Sequence, residues 1–394
     1  MEQQIVTRKL GARPLFAGLA IATAIASLGV YAVPAGTANA AVRRTPKSGT
    51  SQSSSSTHIP KSGVETPPSA SLTETGSTLL YPLWNIWVPA YQSRFAKVSI
   101  TTAGTGSGTG ISDAASGTVD IGSSDAYLSP SQTSADPTLE NIPLAISAQV
   151  IAYHLPGVTA HLRLSGKVLS DIYQGKITHW SDPAITSANP GVSLPNTPIV
   201  ALHRSDSSGD TFLFTQYLSK QDSSGWGTKI SYNTTVPWPN VPDALAEQGN
   251  GGMVSGCKAT PGCIAYVGIS YLSQLLGDGL TYAELQNGKR NYVLPSASSI
   301  GAEANYYVKK TPANGTISLI NGPVAAGYPI INYEYAIVNT SQSTSSTAKA
   351  IRSLLEWAIN PKDGNSPQYL SQVSFQPLPS QLHSASLRQI EKIK

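Results

Sequence analysis

The chain has 394 residues, with 26 Lys and Arg against 22 Asp and Glu for a formal charge of +4, and 34 Gly and 28 Pro. That length is enough for two domains that each bury a core, while so small a basic surplus makes no case for a nucleic-acid partner. The 2 cysteines and 6 scattered histidines do not assemble the four ligands of a structural zinc site.

In chain order, residues 1–40 come first. Arg8, Lys9 and Arg13 precede an uncharged apolar stretch from Leu15 to Val33, and Ala38-Asn39-Ala40 stands before Ala41. This is the layout of a cleaved secretory signal, and the length of the apolar stretch leaves an uncleaved anchor as the alternative. Residues 41–71, with Ser53-Ser54-Ser55-Ser56 and several prolines, contain too little apolar surface to fold and read as a flexible tether.

From Leu72 strand and helix patterns alternate, which predicts an α/β protein. Glu74-Thr75-Gly76-Ser77-Thr78 precedes Leu80, Leu83, Trp84, Trp87 and Tyr91, a helical stripe with a hydroxyl-rich start. Val98 to Thr102 reads as a strand. It leads into the glycine run Gly104 to Gly110 around Ser107 and a helix near Ile111. Glycines let backbone approach an anion closely, and their register here fits neither the Walker loop nor the dinucleotide fingerprint. Ile142 to Leu155 is an apolar run long enough to cross between lobes. Pro183, Pro190, Pro195 and Pro198 mark a long irregular connection.

The loop His203 to Asp210 lies between the strand Ile199–Leu202 and a helix beginning near Thr211. A helix start offers unpaired N–H groups to a tetrahedral oxyanion, Arg204 adds a planar fork, and Asp206 is placed to hold that fork. Cys257 and Cys263, with five residues between them in a turn-like segment, are expected to form a disulfide in an exported chain, contributing about 2 kcal/mol by chain entropy. Tyr328 to Val338 reads as a return strand, and Ile351, Leu354, Leu355 and Ala358 place a core-facing helix behind it.

In this order, Gly76-Ser77-Thr78-Leu79-Leu80-Tyr81-Pro82, the glycine run around Ser107, Val119 to Ala126, Asp171 to Ile177, the Arg204 loop and Tyr328 to Tyr335 form a recognisable set. The chain resembles the phosphate-specific substrate-binding proteins of bacterial ATP-driven phosphate import, most closely the actinobacterial members. The resemblance implies a type II periplasmic-binding-protein fold. One lobe would be built from residues 72–147 and 327–394 and the other from 148–326, with two crossing strands as the hinge. It implies phosphate contacts from Ser77, Thr78, Leu79, Ser107, Asp125, Arg204, Ser208, Gly209 and Asp210. It also implies a monomeric, non-enzymatic carrier outside the cytoplasmic membrane, without a cofactor, that delivers inorganic phosphate to the permease subunits of an ABC-type importer. No lipoprotein cysteine follows the apolar stretch, and Asp210 stands where many members have Thr.

Asp125 would set selectivity. An ionised carboxylate repels an oxyanion unless the ligand brings a proton, which phosphate keeps near neutrality and sulfate does not. Asp210 has two readings, an acid favoured at a helix start or a second acceptor beside Asp125. The alternative function is an exported phosphatase with Ser107 or Ser208 as nucleophile, although neither lies in a Gly-x-Ser-x-Gly elbow.

Overall fold

The computed structural model describes residues 64–394; the expected signal, its cleavage site and most of the tether lie outside the described residues. The first run of elements is β1 (Ala70–Gly76), α1 (Tyr81–Arg94), β2 (Val98–Gly104), α2 (Ser107–Ser116), β3 (Ile121–Ser124), α3 (Pro130–Ala135) and β4 (Leu139–Tyr153). The second comprises β5 (Arg163–Leu164), α4 (Gly166–Tyr173), α5 (Pro183–Thr186), β6 (Val200–Arg204), α6 (Gly209–Gln221), β7 (Leu245–Glu247), α7 (Gly249–Ala259), β8 (Cys263–Gly268), α8 (Leu272–Gly277), β9 (Thr281–Tyr282), β10 (Glu284–Gln286), β11 (Tyr292–Val293) and α9 (Ala297–Val308). The chain then returns through β12 (Ile331–Asn339), α10 (Ser345–Ile359), α11 (Pro367–Leu370) and α12 (Ser380–Ile390).

The principal sheet has the order β2-β1-β3-β12-β4-β8-β6-β7, and β5, β10 and β11 form a small separate sheet. Strand β1 pairs parallel with β2 and β3, and β6 pairs parallel with β7 and β8. β4 and β8 lie in the middle of this sheet with helices packed over them, so nearly every residue of both is buried. β4 joins the two halves: Leu139 to Ala148 pairs antiparallel with β12, and Gln149 to Tyr153 pairs with β8. The apolar run expected to cross between lobes and the expected return strand are β4 and β12.

The helical stripe on α1 is core. Leu83, Trp84, Trp87 and Tyr91 are buried, Trp84 packs edge-on to Trp87 with centroids 5.4 Å apart, and Tyr91 meets Trp357 of α10 at 5.6 Å. The indole N–H of Trp87 donates to the Gly364 carbonyl at 2.8 Å, so the ring is buried without an orphaned donor. The expected start of this helix is corrected. Glu74 to Gly76 closes β1, Ser77 to Leu80 is a turn, and α1 begins at Tyr81 with Pro82 in its first turn, where a missing N–H costs nothing. The Ser77 hydroxyl accepts from the Leu80 N–H at 2.9 Å and fixes that turn. Helix α2 begins at Ser107 rather than Ile111, and the proline-rich connection holds the short α5, capped by Asp182. Cys257 and Cys263 form the expected disulfide, joining the last turn of α7 to the start of β8.

Candidate functional site

In an open parallel sheet, ligands bind outside the carboxyl ends of the strands where the strand order reverses. Here β1 leads into Ser77–Leu79, β2 into Ser107, β3 into Asp125, and β6 into the Arg204 loop. The residues expected to contact the anion are thereby brought to the carboxyl ends of these four strands, along one crevice. Gly76 permits this convergence: its φ is +141°, and a Cβ there would collide with the Ser123 carbonyl oxygen.

The two sides of the crevice touch. The Gly108 N–H on α2 donates to the Ser207 carbonyl at 2.9 Å, the Asn250 side chain on α7 donates to Thr78 Oγ1 at 3.0 Å, and the Ser270 hydroxyl donates to the Leu79 carbonyl at 2.7 Å. Gly209, the first residue of α6, lies against the Asp125 carboxyl and Ser107 Oγ so closely that a Cβ would collide with both. The crevice is closed.

Arg204 is 3% exposed. Its Nε donates to Asp206 Oδ1 at 2.7 Å, Nη2 donates to Asp206 Oδ2, and Nη1 donates to Asp210 Oδ2 at 2.9 Å. Burial disfavours the guanidinium charge, but hydrogen bonding to Asp206 and the charges of Asp210 and Asp206 outweigh it and hold the cation above its ordinary value. Burial likewise pushes against an ionised Asp206, and Arg204 prevails, keeping that carboxyl below the usual range. The role expected for Asp206, holding the fork, is the one its geometry provides.

Asp210 is fully buried at the second position of α6, but it does not cap the helix. The Ser208 hydroxyl does so, accepting from the Thr211 N–H at 3.3 Å. The Asp210 carboxylate accepts instead from Arg204, from Asn250 Nδ2 at 2.6 Å and from Gln149 Nε2 at 3.0 Å. Burial raises this carboxyl despite those three donors.

Asp125 forms the opposite wall. The Ser77 hydroxyl donates to Oδ1 and the Ser107 hydroxyl to Oδ2 at 3.3 Å. Burial, then the nearby Asp210 charge, raises its pKa to about 7. Around it, among the described residues, the backbone N–H groups of Thr78, Leu79, Ser107, Gly209 and Asp210 make no hydrogen bond. Buried N–H groups are almost always paired. Five that converge beside a guanidinium make a site with the valence of a small oxyanion.

Sequence reasoning missed Gln149, Asn250 and Glu334. Gln149 and Asn250 position Asp210, and Glu334 is a fully buried carboxyl on β12 next to Asp125. His203, beside Arg204 in sequence, stacks on Trp238 at 4.8 Å instead of serving the crevice. Ser208 is engaged as a cap and Ser107 with Asp125, and no histidine is among their hydrogen-bond partners, so nothing favours either serine as a nucleophile.

A family model described as a PBP superfamily domain matches residues 61–362. The phosphate-binding protein PstS of Xylella fastidiosa (strain 9a5c) is 33% identical over 349 residues, covering 86% of this chain and 91% of that protein. The phosphate-binding protein PstS of Methanocaldococcus jannaschii is 32% identical over 356 residues, covering 84% and 89%. Among solved structures, a high-affinity periplasmic phosphate-binding protein bound with phosphate at pH 8.5 shares the fold with a TM-score of 0.64 at 20% identity, covering 80% of this chain and 92% of that one. With the parallel half-sheets, the shared strand and the closed crevice, these likenesses place the chain in the PBP superfamily, within the family of PstS phosphate-binding proteins.

Proposed function

We propose that this protein captures inorganic phosphate in the crevice and delivers it, outside the cytoplasmic membrane, to the permease subunits of an ATP-driven importer. The observation that carries the reading is the set of unengaged N–H groups of Thr78, Leu79, Ser107, Gly209 and Asp210 around Asp125 and Arg204. In this reading the protein is a monomeric carrier and not an enzyme. Residues 72–147 and 327–394 form one lobe and 148–326 the other, and β4 and β12 serve as the hinge. Ser77, Thr78, Leu79 and Ser107 hold the anion from the first lobe, and Arg204, Ser208, Gly209 and Asp210 from the second. Asp125 accepts the proton that phosphate carries. A sulfate in the same place presents only acceptors to a carboxylate, and the unmade bond penalises it.

Titration calorimetry tests this directly. One phosphate binds per chain, and sulfate binds at least about a hundredfold more weakly, the scale of a buried acceptor pair left unbridged. Comparable affinities for the two anions, or no phosphate binding, would overturn the reading.

A further inference from the structure

Glu334 sits on β12 opposite Ala145, immediately before the register shift between Glu334 and Tyr335. It is fully buried. Its Oε1 accepts from Asn332 Nδ2 at 3.0 Å and from the Ser147 hydroxyl, whereas its buried Oε2 has no protein donor. Asn332 Nδ2 donates both to Glu334 Oε1 at 3.0 Å and to the Asp125 backbone carbonyl at 3.4 Å, and the neighbouring residues Tyr335 and Ser124 pair between β12 and β3, so the two buried carboxyls stand side by side as a pair at the back of the crevice. Two buried carboxyls in contact do not both ionise; one keeps a proton and donates it to the other.

The surroundings decide which one keeps it. Asp125 is served by the Ser77 and Ser107 hydroxyls and faces Arg204 as well as Asp210. Glu334 faces Asp125, Ser147, Asn332 and, on its own strand, the Tyr335 phenol, with no cation among them. The proton therefore rests on Glu334. Burial and then the Asp125 charge hold Glu334 well above the usual carboxylate range, and the same hydrogen bond opposes the burial that raises Asp125.

We propose that Glu334 is a specificity-positioning residue, a neutral carboxylic acid that donates to Asp125 from behind and keeps it an ionised acceptor for the ligand's proton. The inference rests on the phosphate reading of the crevice. Without the rear donor, burial and the charge of Asp210 leave Asp125 protonated near neutrality. Asp125 then presents a donor, and the penalty on sulfate disappears.

The experiment uses E334Q, which keeps a donor at this position, and E334M, which keeps volume without one. Phosphate and sulfate affinities are measured across mildly acidic to mildly basic pH, with thermal unfolding as a check on folding. E334M is expected to lose about tenfold or more in phosphate affinity, the loss of one charge-assisted bond, and to narrow the phosphate-to-sulfate ratio; E334Q restores both to within about threefold. Loss of selectivity in both variants, or in neither, would overturn the proposal. The infrared spectrum of wild type minus that of E334Q supplies a readout independent of E334M folding. A carboxylic-acid carbonyl band at neutral pH supports the assignment, and its absence overturns it. Should wild type fail to bind phosphate, the carrier reading falls, and the infrared band decides the carboxyl pair alone.

Discussion

Arg204 shows how closely charge and fold are tied at single residues. Removing it leaves Asp206 and Asp210 without their cation in a dry crevice, so Arg204→Ala is expected to abolish phosphate binding and to lower stability by about 3–5 kcal/mol, measurable by denaturant unfolding. Asp210→Asn retains acceptance from Gln149 or Asn250 but weakens the hold on Arg204. Because the Asp210 carboxylate already accepts from three protein donors, it needs no proton from the ligand. Removing the Asp210 charge lowers Asp125, so the pH profile of phosphate binding in Asp210→Thr should keep its shape but shift toward lower pH, and a flattened profile in the variant would make Asp210 a direct proton acceptor. Glu303, fully buried on α9, has no side-chain donor to either carboxyl oxygen, and burial, opposed by the Gly322 backbone N–H and the Lys220 charge, raises its pKa from 4.5 to about 7. Between those values the folded chain binds more protons than the unfolded one, so this group's contribution to stability falls as pH rises through that window. Glu303→Gln should remove the fall, raising stability above neutrality on the order of 1–2 kcal/mol relative to wild type, as read by unfolding at acidic and basic pH.

Single elements show what could be read in advance and what could not. The pairing of Arg204 with Asp206 was legible because both partners lie in one turn, two residues apart. α1 was legible because its apolar spacing is regular. β1 was not: Glu74 is buried within it, with the Thr102 hydroxyl donating to its carboxyl, and this polar residue breaks the apolar pattern. Its hydroxyl-rich end then looks like a helix cap. Asn250, Gln149 and Glu334 act on groups 40 to 209 positions away along the chain, in contacts that exist only once the sheet has assembled. The disulfide belongs to this scale as well. It ties α7 to β8, whereas Asn250 works from the other end of α7, so Cys257→Ser with Cys263→Ser should cost about 2 kcal/mol of stability yet change phosphate affinity little. A matching loss of affinity would mean that the tie orients Asn250.

At the scale of the whole molecule, closure rests on a few polar bonds across the crevice, including Asn250 to Thr78, Gly108 to Ser207 and Ser270 to Leu79. Such bonds are weak enough for a ligand to decide between open and closed populations. Small-angle scattering should show compaction when phosphate is added, and Asn250→Ala should shift the phosphate-free ensemble toward open forms. Identical scattering with and without phosphate would indicate a rigid pocket.

The strand common to both halves adds an order of events. At Gln149, β4 exchanges β12 for β8, and the same residue holds Asp210, which with Asp206 grips Arg204. If β4 and β12 serve as the proposed hinge, every member of that chain of contacts stays on one side of it, and opening would leave the guanidinium caged and aimed. An incoming anion would then meet the Arg204 side first and the proton test of Asp125 only when the other side swings in. Ionic strength should therefore govern how fast phosphate arrives, while pH governs whether it is allowed to stay.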